Sequence, residues 1–189
     1  MKSIPYKTLL IFLSFISFIS CDSPKKSENN SVPIETQYKN QIYGLWNNNH
    51  NLAYEWGNIK TEDNITYMRG DKFNTEGTLT LIYSDREMAD FYGNMIYNVV
   101  ATGEWKVEGD YIIETTDNFK ILPHESYANK DENILEHYNE SMELMNNIIP
   151  KGMSFSNKIL NIDSETMILQ DQNPSDPQSE FTTYKRVKN

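Results

Sequence analysis

Along most of the chain, apolar residues recur at every second position, and this period of two sets the reading of the fold. In "TLTLIY", Leu79, Leu81 and Tyr83 share one face while Thr78 and Thr80 take the other, the pattern of an antiparallel strand with one side buried. In "VVATGEWKVEGDYIIETT", Val99, Ala101, Gly103, Trp105 and Val107 fall together. A turn at Glu108-Gly109-Asp110 follows and the chain returns through Tyr111 and Ile113, which predicts a hairpin. A second hairpin is predicted from a strand over Lys158–Ile162, a turn around Asp163-Ser164-Glu165 and a strand over Thr166–Gln170. A proline-bearing loop and a last strand over Glu180–Val187 complete the series. Strands joined consecutively in this way make a meander, and a meander curls into a barrel or half-barrel.

Two segments break the period. In "KDENILEHYNESMELMNNIIP", Leu135, Tyr138, Met142, Met145 and Ile149 recur at steps of three and four, which predicts an amphipathic helix near 131–149 inserted between strand regions. Asp131 and Glu132 favour its start and Pro150 its stop. The other break is at the beginning, where basic Lys2 and Lys7 precede an apolar run from Leu9 to Ile19. A bilayer-spanning helix needs roughly 20 residues, so this shorter run reads as an export signal over residues 1–20. "FISC", Phe18 to Cys21, resembles the lipobox of bacterial lipoproteins, in which the cysteine is acylated and becomes the first residue after cleavage. Residues 22–40 contain two prolines, many Ser and Asn, and only Val32 and Ile34 as aliphatic residues, so 21–40 reads as a flexible tether ahead of a β domain over 41–189.

Composition sharpens the location more than the activity. Cys21 is the only cysteine of the 189 residues, and lipidation accounts for an exported protein carrying one unpaired thiol. The expected address is the bacterial cell envelope, on the extracytoplasmic side, held to the membrane through acylated Cys21. The formal charge of −10 becomes −12 once Lys2 and Lys7 leave with the signal. Such a chain repels phosphates, so neither nucleic acid nor an anionic lipid surface is expected as a partner.

Candidate chemistry is sparse. His50, His124 and His137 show no zinc-ligand spacing, even in the pairs His124-Glu125 and Glu136-His137, and all three read as scattered surface residues. The acidic stretches "TEDN" (61–64) and "KDEN" (130–133) lack the ladder of a calcium loop and read as solvated turns. No nucleophile elbow, phosphate loop or dinucleotide fingerprint occurs, so no enzyme, metal or cofactor is expected.

Two Gly-x-Trp triplets, Gly44-Leu45-Trp46 and Gly103-Glu104-Trp105, accompany the Thr-rich strand Thr78–Tyr83, the run Gly103–Ile112 and a closing Tyr184–Val187. A Gly-x-Trp in the first strand followed by an antiparallel meander resembles the lipocalin group, and more closely the small lipocalin-like lipoproteins of bacteria. In plain lipocalins the helix follows the barrel strands, whereas here it is inserted among them. The resemblance implies a binding module for a small apolar ligand or peptide, with Trp46, Tyr83 and Trp105 as candidate ligand-lining residues. Core packing is the other reading of both tryptophans. The alternative function is a surface interaction, inhibitor or assembly protein with no small-molecule ligand, working through strand edges or the 131–149 helix.

Overall fold

The computed structural model describes residues 33–128, 130–147, 150–172 and 181–188. Eight antiparallel strands pair in sequence order and close into a barrel when the last returns to the first. They are β1 (Gly44–Tyr54), β2 (Gly57–Met68), β3 (Lys72–Tyr83), β4 (Met95–Glu108), β5 (Tyr111–Pro123), β6 (Ser154–Ile162), β7 (Thr166–Asp171) and β8 (Phe181–Arg186). Helix α1 (Ile34–Ile42) precedes the barrel, α2 (Arg86–Tyr92) joins β3 to β4, and α3 (Glu132–Asn146) lies between β5 and β6. The fold is therefore the expected meander barrel with an inserted helix. The stripe residue Ile149, the strand residue Glu180 and the lipidation candidate Cys21 lie outside the described residues.

One end of the barrel is plugged by bulky side chains. Trp46, Tyr67, Trp105, Ile112, Met167 and Leu169 are buried there together with Ile42 at the end of α1. The indole N–H of Trp46 donates to the Ile42 carbonyl at 2.6 Å and that of Trp105 to the Met68 carbonyl at 3.3 Å, so neither ring carries an unmet donor into the core. Arg186 lies 4.0 Å from the centre of the Trp46 ring and donates to the carbonyls of Tyr43 and Gln41. Opposite, Tyr43 and Tyr67 meet Trp105 edge-on at 5.5 and 5.1 Å.

Helix α1 occupies the last third of the segment read as a tether. Nine residues with few apolar side chains make a marginal helix alone. Docking stabilises this one: Ile42 is buried, Tyr38 packs on the core, Glu35 accepts the Gly109 N–H, and Lys39 pairs with Asp71.

At the other end α3 lies over β5. The ring of Tyr138 stacks between Tyr97 at 4.5 Å and Tyr127 at 4.1 Å, and its hydroxyl donates to the Ile96 carbonyl while accepting the His124 N–H. Ile134, Leu135, Met142 and Met145 complete this second cluster. Asn146 extends the sheet by proxy: its amide accepts the Ile121 N–H and donates to the Ile121 carbonyl, as a neighbouring strand would.

Two readings of strand register are corrected. Glu108 pairs directly with Tyr111, so the loop has two residues and Val107 faces Ile112, not Tyr111 or Ile113. The inner face of β5 thus begins with Ile112 and Glu114; Asp117 is then a bulged extra residue that shifts the inner set to Phe119 and Ile121. Gly103 sits beside that bulge, where a Cβ would lie 2.1 Å from the Thr115 carbonyl oxygen. Likewise "TEDN" is no turn. It lies within β2, fully paired on both sides.

Candidate functional site

The two halves of the barrel differ in how completely they close. The ladder between β1 and β8 spans three pairs, Trp46–Arg186, Asn47–Lys185 and Asn48–Tyr184, all in the half next to α1. Beyond Asn48, β1 continues with β2 for six more residues while β8 stays with β7. In this outer half α3 covers the inner faces of β4 and β5, where Met95, Tyr97 and Ile121 are buried. The inner faces of β1, β2 and β3 stay within reach of solvent: Leu52, Tyr54, Ile59, Leu79, Leu81 and Tyr83 point inward yet are only half-buried. Aromatic rings run along this rim. Trp56 lies 5.6 Å from Tyr54 and 6.1 Å from Tyr83, Tyr83 lies 6.1 Å from Tyr92, and Tyr92 lies 4.2 Å from His137, whose buried Nε2 has no partner.

Below the rim and above the tryptophan plug the barrel interior turns polar. On β1, Asn48 stands between Asp63 of β2 and Tyr184 of β8; His50 faces Thr61 and its Nε2 is 2.9 Å from the Thr182 hydroxyl. Asp63 in turn faces Gly77 of β3, where a Cβ would lie 2.5 Å from the carboxylate oxygen, so the glycine leaves the space that the carboxylate occupies. From the far wall Glu114 enters beside Trp105 and accepts the Tyr67 hydroxyl at 2.8 Å. Burial holds Asp63 up at about 6, against a weaker opposing hydrogen bond from Thr61. Burial also raises Glu114 and lowers His50, and it raises Tyr184, with the charges of Glu114 and Asp63 adding to the effect. Among the described residues no Lys or Arg nitrogen lies within 4.0 Å of either inner carboxylate. The Oδ1 of Asn48 is buried with no hydrogen-bond partner.

The residues singled out from sequence are thus split. Trp46 and Trp105 stand together in the closed half, while Tyr83 stands in the rim. The belt of Asn48, His50, Asp63 and Glu114 was not expected. Its signal was present in β2 as the alternation of Thr61, Asp63, Ile65 and Tyr67, which puts the acid on the same face as two core residues. Among the described residues no three His, Cys, Asp or Glu side chains are grouped to hold a metal ion, and no helix is long and apolar enough to cross a membrane.

No protein-family model and no characterised protein matches the chain. Fold and site together define a class: an eight-stranded antiparallel meander barrel, plugged at one end and carrying an acidic polar belt between the plug and the rim.

Proposed function

We propose that the protein is a lipid-anchored extracytoplasmic binding module, which takes a small, largely apolar molecule into the outer half of its barrel. One observation carries the reading: the inward-facing side chains of β1, β2 and β3 remain half-buried in that half, while their counterparts in the α1 half are closed off. Inward apolar surface that solvent still reaches gains by accepting an apolar ligand. The anchor rests on the sequence around Cys21 and the ligand site on the fold.

Fluorescence titration of the purified full chain with an apolar dye tests the ligand site. The expected result is saturable quenching of tryptophan emission that Trp56→Phe largely abolishes and Trp105→Phe preserves, because Trp56 lies in the rim and Trp105 in the plug. If the dye, fatty alcohols and phospholipids all fail to bind saturably, the ligand reading falls. An anchored interaction protein then takes its place.

A further inference from the structure

Within that reading, we propose that the polar belt is a head-group site for an amphiphilic organic cation, a primary alkylammonium compound whose tail lies along the inner faces of β1, β2 and β3. The belt is rich in acceptors that the protein itself leaves unmet. Asn48 is only 7% exposed, its Oδ1 has no donor, and its two cross-strand neighbours are Asp63 and Tyr184. Polar atoms buried that deeply are normally paired, because an unmet acceptor forfeits the hydrogen bond it had in water.

The charge points the same way. Asp63 and Glu114 turn their carboxyl groups into the barrel with no Lys or Arg against them among the described residues. Arg186, which also belongs to the inward face of β8, is committed to the Tyr43 and Gln41 carbonyls and the Trp46 ring. His50 is held toward its neutral form by burial and engages Thr182, so it brings no competing cation. Thr61, Tyr67 and Tyr184, the other polar groups around the belt, are uncharged at neutral pH. A buried carboxylate left without a counter-charge is costly, and the missing side chain at Gly77 gives that carboxylate its room.

An alkylammonium matches each feature. Its three N–H donors suit the Asn48 and Asp63 oxygens, its charge offsets the carboxylates, and its chain suits the apolar residues above them. A fatty carboxylate presents the same tail but sets its own negative charge against the inner carboxyl groups. A fatty alcohol offers one donor and no charge. The acidic chain, at −10, also draws cations toward it.

The test is displacement of the apolar dye from the full chain at pH 7.5 by decylammonium, decanol and decanoate, each below its micellar concentration. The expected order is decylammonium ahead of decanol by about tenfold, with decanoate weakest, a difference of the size one charge-assisted contact supplies. Asp63→Asn should reduce the ammonium advantage over decanol to about threefold or less, and Asn48→Leu should act in the same direction. A cooperative urea unfolding transition like the parent's reports that each variant is folded. Equal displacement by all three compounds, or an ammonium advantage that survives in Asp63→Asn, overturns the cation site while leaving the apolar one standing. If none of the three displaces the dye, both fall.

Discussion

Asp63 sits on the buried face of β2 between Thr61 and Ile65, and the barrel keeps it there although its ionised form is disfavoured. The folded protein holds this proton up to about pH 6, whereas the unfolded chain releases it near the ordinary aspartate value of 3.8. The native state therefore binds more protons between those values, and the residue's contribution to stability falls as pH rises from about 4 to about 6 and is flat above. The loss amounts to about 2–3 kcal/mol, from roughly 1.4 kcal/mol per pKa unit. His50 and His137 act oppositely at the acid side, since burial lowers both and they favour the folded state as pH rises. A comparison with Asp63→Asn isolates the carboxyl: in urea unfolding, the variant should gain on the parent by about 2 kcal/mol between pH 4.5 and 7.5. A constant difference across that range would place the carboxyl in water. Such a residue is hard to find from the chain because Asp63 stands in "TEDN" beside Glu62, a composition that reads as a turn. Phase along the strand, not local polarity, decides which of the two acids is enclosed.

At the scale of elements, α3 was legible and α1 was not, for reasons that differ in kind. The α3 stripe carries Leu135, Tyr138, Met142 and Met145 on one face, so its own sequence contains the reason for docking. Helix α1 depends on partners far along the chain, Asp71 and Gly109 among them, which no local window contains. Helix α2 was also missed, although its signals are local. Its seven residues are set by Asp85, whose carboxylate accepts the Met88 N–H, and by Gly93 at φ +66°. The hairpin from β4 to β5 was legible as a hairpin, but its register hung on one residue of turn length, and a slip of one exchanges the faces. The hold on α3 is testable through Tyr138, whose hydroxyl serves both the Ile96 carbonyl and the His124 N–H. Tyr138→Phe keeps the two ring stacks and leaves both backbone groups unmet, with an expected loss of about 2 kcal/mol and a drop in Tm of several degrees. A change under about 0.5 kcal/mol would show that stacking alone seats the helix.

For the whole molecule, the described domain begins close to the proposed anchor. Twelve residues separate Cys21 from Ile34, the first residue of α1. Helix α1 belongs to the plugged end, so the proposed linkage through Cys21 would enter the domain at the end opposite the rim of Tyr54, Trp56 and Tyr83. The anchor has its own test: Cys21→Ser should move the protein from the detergent phase to the aqueous phase in a partition assay, and continued partitioning into detergent would remove the lipoprotein reading.

The three-pair ladder that joins β1 to β8 also sets an order of events during folding. Every other seam of the barrel links strands adjacent in sequence, whereas this one brings Trp46 to Arg186 across nearly the whole domain. Closing so long a loop forfeits the most chain entropy for the fewest hydrogen bonds, so the seam forms after the meander is in place. What closes last on the way in is also the least protected on the way out. Amide hydrogens of β8 should therefore exchange faster than those of β2 and β3, even though Arg186 clasps the Trp46 ring across the join.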